Sequence, residues 1–198
     1  MIQLIRDPVL EERQRAFLRG KFGMAIFFVS LSMLFGGVLA GIVVLRLGHH
    51  QWRSEGMPAL PWELWVSTAV LAFGSWFLFK AQQAAAEDRP EEVYPAVRAA
   101  TAFLVAFLVL QGWAWTAWWL SGVTLATRSL YSFSFFALTA LHALHVLGGY
   151  GPLLAVLSSA KARRYRREEH AGLTYCAMYW HYLGVVWLVL FATLHLIS

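Results

Sequence analysis

The stretch that decides the fold reads SFSFFALTALHALHVLGGYGP and runs from Ser132 to Pro152. It contains no Asp, Glu, Lys or Arg, and it is long enough to cross the hydrocarbon core of a bilayer, about 30 Å, as a helix. Two histidines, His142 and His145, lie three residues apart and share one face of that helix. Ionisable side chains are rare inside a membrane span because each needs a polar partner. The stretch therefore predicts a transmembrane helix with a polar site on one face.

The composition is typical of a membrane protein. Hydrophobic residues make up 59% of the 198 residues and charged residues only 14%, whereas a soluble domain has about 25% charged residues. Five apolar runs occur, at about residues 22–45, 62–79, 97–120, 131–158 and 173–197. Because backbone polar groups in lipid must be satisfied within their own segment, each run is predicted to be a helix. We therefore predict an all-α membrane protein, with a cytoplasmic N-terminal segment, residues 1–21, and one five-helix transmembrane domain, residues 22–198.

The positive charges predict the orientation of this bundle. Thirteen of the 16 Lys and Arg residues precede the first apolar run or follow the second and the fourth. Loops rich in Lys and Arg stay in the cytoplasm, so we expect a cytoplasmic N-terminus and a C-terminus outside. The net charge of +5 is spread over short loops rather than gathered in one patch, which argues against a nucleic-acid partner.

Five of these cations follow the fourth run closely. They are Lys161, Arg163, Arg164, Arg166 and Arg167. A basic cluster beside a membrane helix attracts anionic lipid headgroups, with about 1 kcal/mol for each residue near the surface. The cluster is therefore a candidate phospholipid site, and the alternative is that it only determines topology.

The intramembrane histidines allow two interpretations. Neutral imidazole is a common haem and metal ligand, so His142 or His145 could bind haem together with His181 of the fifth run, as in a haem b-carrying membrane anchor of a dehydrogenase. Alternatively, the three side chains form hydrogen bonds across helix interfaces. At about 1.5 Å of rise per residue, His145 and His181 reach similar depths. This predicts a polar contact between the fourth and fifth helices.

Side chains needed for several other activities are absent from the sequence. Away from their ends, the apolar runs contain no Asp, Glu, Lys or Arg, the residues that ion-coupled transporters use as relays. The sequence shows no paired carboxylates, no Ser–His–Asp arrangement, no Cys–His metal cluster and no phosphate-binding loop. The chain alone is therefore not predicted to be a catalyst.

Three segments resemble motifs of subunit III of the haem–copper respiratory oxidases. The family hallmark F-x-x-L-T-G-x-H-x-x-H-V-x-x-G resembles FFALTALHALHVLGG at residues 135–149, where Ala140 takes the place of the glycine. The last-helix pattern Y-W-H-F-x-D-V-V-W resembles YWHYLGVVW at residues 179–187. The first-helix pattern R-x-x-x-G-M-x-x-F-x-x-S-E-x-M-F-F resembles RGKFGMAIFFVSLSMLF at residues 19–35. The resemblance covers the chain from residue 19 to the end and fits the short, five-helix bacterial form of the family.

This resemblance implies a non-catalytic subunit of a terminal oxidase in the bacterial cytoplasmic membrane. Such a subunit carries no haem or copper of its own. It packs chiefly against subunit I, with subunit II and a small subunit IV as further partners, binds phospholipid and supports sustained proton uptake. The complex transfers electrons to oxygen and translocates protons. A subunit III-like protein of a nitric oxide reductase system is an alternative, and both cytochrome c and a quinol are open as electron donors.

Two positions depart from the family pattern. The family's buried glutamate falls at Leu31, and its last-helix aspartate falls at Gly184. We hypothesise that the chain keeps the structural role of subunit III and has lost any proton role that needed the buried glutamate. The polar side chains that remain near this depth are predicted to form a structural cluster. They are His142, His145, His181, Thr139 and Ser30.

Overall fold

The computed structural model describes residues 8–49, 52–53, 56–123 and 129–197. Its five helices are α1 (Pro8–Gly48), α2 (Glu63–Ala86), α3 (Pro90–Leu120), α4 (Leu130–Lys161) and α5 (Ala171–Leu196). Each is long and apolar enough to cross a membrane. The predicted fold class, an all-α bundle of five transmembrane helices, is confirmed. The division into segment 1–21 and domain 22–198 stays a prediction, and residues 8–21 form the first turns of α1.

The helices extend beyond the apolar runs because charged side chains continue a helix as well as apolar ones do. In the first turns of α1, Arg15 and Glu11 form an ion pair at 3.3 Å across one helical turn, a spacing that supports helix. Pro90 is the first residue of α3, and a proline is tolerated there because the first helical amides have no partner within the helix. Hydrophobicity therefore predicted the spans, but proline and short turns set the helix ends.

The bundle is built around the antiparallel pair of α2 and α3. These two helices make the most extensive contact in the molecule, and α4 and α5 close a four-helix core against them. Among the described residues, α1 packs on α4 and α5 and on neither α2 nor α3. Large side chains fill the four-helix core. The fully buried ones include Trp118, Trp180, Trp187, Tyr131, Phe107 and Phe135.

Polar contacts gather the basic segments at one end of the bundle. The Arg13 guanidinium of α1 lies 2.6 Å from the Glu169 carboxylate in the α4–α5 loop. That loop also reaches the α2–α3 turn, where the Asp88 carboxylate lies 3.9 Å from the Arg166 guanidinium and accepts a hydrogen bond from the Arg167 amide at 3.5 Å. The first turns of α1, the α2–α3 turn and the α4–α5 loop therefore share one end. Which side of the membrane this end faces stays a prediction.

The opposite end is held by Trp52 in the α1–α2 loop. Its side chain is 3% exposed, and its indole N–H donates to the Ile197 carbonyl beyond α5 at 2.8 Å. Its own carbonyl accepts hydrogen bonds from the Tyr131 amide and the Ser129 hydroxyl, both at 3.2 Å. A single loop residue thus joins the beginning of α4 to the end of α5.

Candidate functional site

His142 lies in an aromatic enclosure at the centre of the bundle. Its side chain is 1% exposed. The centroid of its ring is 5.3 Å from that of Trp187, 6.0 Å from that of Phe107 and 6.4 Å from that of Phe35. Neither ring nitrogen has a hydrogen-bond partner among the described residues. Aromatic rings from three other helices therefore surround this imidazole.

His145, one turn further along α4, connects α4 to α5 through its backbone. Its Nδ1–H donates to the Leu141 carbonyl of the preceding turn at 2.8 Å. The His145 carbonyl accepts a hydrogen bond from the Tyr179 hydroxyl of α5, also at 2.8 Å. A polar contact between these helices is therefore present, but it uses the main chain of His145 and a tyrosine rather than two imidazoles.

His181 pairs with α2. Its Nδ1 lies 2.5 Å from the Ser75 hydroxyl oxygen. Six residues further along α5, the Trp187 indole N–H donates to the Thr68 hydroxyl at 2.8 Å. Ser75 is not among the predicted site residues, although a serine in the middle of an apolar run is a signal of the same kind as an intramembrane histidine. Two side-chain hydrogen bonds thus join α5 to α2 within the membrane.

Thr139 and Ser30 lie in different surroundings. The Thr139 hydroxyl is buried, accepts a hydrogen bond from the Trp115 indole at 3.0 Å and donates to the Phe135 carbonyl at 2.6 Å. The Ser30 hydroxyl is exposed and donates to the Ile26 carbonyl of its own helix at 3.2 Å. Among the described residues, four of the five predicted cluster members form side-chain hydrogen bonds to separate partners, and His142 forms none, so the five do not bond to one another. Their role as one structural cluster stays a prediction.

The four-helix core contains a further polar pair. The Gln111 amide of α3 donates to the Ser67 hydroxyl of α2 at 3.0 Å, and Ser67 donates to the Leu64 carbonyl at 2.9 Å. Gln111 and Ser67 are both buried. Among the described residues there is no group of three or more His, Cys, Asp or Glu side chains that could hold a metal ion.

The basic cluster after α4 separates into two parts. Arg166 lies beside Asp88, as described above, and so does the backbone of Arg167. Lys161, Arg163 and Arg164 have exposed side chains. Between Arg164 and Arg166, Tyr165 points inward and is 8% exposed, and its burial raises the pKa of its hydroxyl. The inward tyrosine anchors the loop while the basic side chains face outward.

The sequence of this bundle matches a known family of respiratory proteins. A model of the cytochrome c oxidase subunit III family matches residues 8–198. The chain belongs to this family. It is 27% identical to cytochrome c oxidase subunit 3 of Thermostichus vulcanus over 176 residues, which is 89% of this chain and 86% of that protein. It is 29% identical to cytochrome c oxidase subunit 3 of Synechocystis sp. over 178 residues, which is 89% of this chain and 75% of that protein.

Membership of the subunit III family makes the chain a multi-pass membrane subunit of a respiratory oxidase, in complex with other oxidase subunits. The two positions that depart from the family pattern, Leu31 and Gly184, lie at different places in the helix bundle. Leu31 is 6% exposed and belongs to α1, which packs on α4 and α5. Gly184 lies on α5 at a cavity of about 420 Å³ between α2 and α5. A Cβ atom at Gly184 would have no neighbour within 4 Å.

Proposed function

We propose that this chain is the non-catalytic subunit III of a bacterial haem–copper terminal oxidase, in the cytoplasmic membrane. The observation that supports this most strongly is the family match over residues 8–198, because it covers the whole five-helix bundle and not one motif. In this proposal the haem and copper belong to partner subunits. The chain packs chiefly against subunit I, with subunit II and a small subunit IV as further neighbours, in a complex that reduces oxygen and translocates protons.

The use of polar side chains inside the bundle supports a structural role. Pairs from different helices, such as Gln111 with Ser67 and Trp115 with Thr139, form hydrogen bonds within the bundle. Interhelical hydrogen bonds of this kind stabilise membrane bundles. The apolar side chain of Leu31 at the position of the family glutamate favours a chain that stabilises the oxidase and supports its sustained turnover without a proton-carrying carboxylate in α1.

Purification through a tag on this chain from native membranes tests the proposal. We expect the subunits of a terminal oxidase to co-purify, with their haem absorption and oxygen-consuming activity. Recovery of nitric oxide reductase subunits instead would favour the alternative complex. A Soret band that stays with the isolated chain would favour the haem b anchor. An oxidase depleted of this chain is expected to begin at the normal rate and to inactivate earlier during turnover.

We also propose that Lys161, Arg163 and Arg164 bind the headgroup of an anionic phospholipid. Their exposed side chains at the membrane end of α4 suit this role, because cations near the surface attract anionic lipid. Replacing all three by Gln should lower the anionic phospholipid that co-purifies with the complex, measured by mass spectrometry. A matched variant with Gln at Lys80 and Arg98 should retain it. Equal lipid content in both variants would leave topology as the function of the cluster.

A further inference from the structure

We draw no further inference here: the strongest candidate, the apolar cavity of about 590 Å³ between α1, α4 and α5 that Phe27, Ser159 and Tyr165 line, lies beside the basic residues already proposed to bind phospholipid headgroups, so a lipid chain in it would restate the lipid binding that the resemblance to subunit III implies.

Discussion

The imidazole of His142 is buried among aromatic rings without a hydrogen-bond partner in the described part of the chain. Burying a polar group in this way costs about 1 to 3 kcal/mol. His142→Phe keeps a ring of similar shape, so we expect the free energy of unfolding to stay equal or to rise by up to about 2 kcal/mol. Equilibrium unfolding of the purified chain in detergent measures this. A decrease would instead mean that the imidazole contributes a favourable polar contact.

Two adjacent glycines of α4 provide an internal comparison. A Cβ atom on Gly149 would come within 2.7 Å of the Tyr179 ring and 3.1 Å of the Trp180 ring, whereas one on Gly148 would meet nothing within 4 Å. Gly149→Ala should therefore destabilise the chain by about 1 to 3 kcal/mol through overpacking. Gly148→Ala should be neutral or stabilising by up to about 1 kcal/mol, because alanine favours helix. The same unfolding measurement applies, and equal effects would refute close packing of α4 on α5 at Gly149.

The positions of the polar residues could be predicted from the sequence, but their partners could not. The sequence placed His142, His145 and His181 inside helices, because each lies in an apolar run. The partners depend on how each helix is rotated about its axis. Ser75 lies 106 positions before His181 along the chain, and no periodicity within one run indicates that the two side chains meet.

At the scale of the helices, the α1–α2 loop has a structural role that hydrophobicity does not show. Trp52 is buried and donates to the Ile197 carbonyl. Trp52→Phe removes that donor and should lower the free energy of unfolding by about 1 to 3 kcal/mol. Trp62→Phe is the control, because Trp62 is 69% exposed and should change stability by less than about 0.5 kcal/mol. A neutral Trp52→Phe variant would show that the contact to Ile197 adds nothing to stability.

The contribution of the α2–α3 turn to the stability of the fold should decrease at acidic pH. The Gln83 side-chain hydrogen bond, and then that of Arg89, lower the pKa of Glu87 below its ordinary value of 4.5. Because the folded-state pKa is lowered, ionised Glu87 stabilises the fold above the ordinary pKa, and this contribution is lost as the pH falls through the folded-state pKa. The carboxylate is on the surface, so the effect is small.

We expect Glu87→Gln to have a lower Tm than the wild type at neutral pH, and the difference should shrink as the pH falls to about 3. Glu91→Gln, on the first turn of α3, is the control and should follow the wild-type curve. If the Tm difference between Glu87→Gln and the wild type does not vary with pH, the lost stability does not come from the ionisation of Glu87.

Helix ends were less predictable than helix positions. The apolar runs located all five helices because a bilayer requires long apolar segments. The predicted edges followed the end of hydrophobicity, whereas α1 continues back to Pro8 and α3 begins at Pro90. Glu and Arg are good helix formers, so polar residues on either side of a span join its helix until a proline or a turn intervenes.

For the whole molecule, the sequence predicted the fold class and family, and it also predicts an orientation that labelling can check. Cys176 is buried, so a labelling reagent should react with a cysteine introduced at an exposed position and not with Cys176. Trp62→Cys at one end and Glu91→Cys at the other form a matched pair. A membrane-impermeant maleimide on intact cells should label Trp62→Cys, and Glu91→Cys should react only after the membrane is opened. The reverse pattern would place the N-terminus outside.

The mutual arrangement of the helices lies beyond what hydrophobicity predicts. A short turn makes α2 and α3 neighbours, and this follows from chain order. In the part of the chain that the structure describes, α2 pairs with α5 and α1 contacts neither α2 nor α3. These arrangements depend on which side chains meet, such as Trp187 with Thr68. The cavity between α2 and α5 beside Gly184 follows from that pairing, so it could not be predicted from any single apolar run.

The placement of α1 has a consequence for synthesis in the membrane. It is the first helix to leave the ribosome, yet its packing partners α4 and α5 are the last. The α2–α3 hairpin can form as soon as its two helices are inserted, because its contacts are close in sequence and cost little chain entropy. Until α4 and α5 emerge, α1 has only lipid as its neighbour. Assembly of this chain therefore ends with the docking of the helix that was made first.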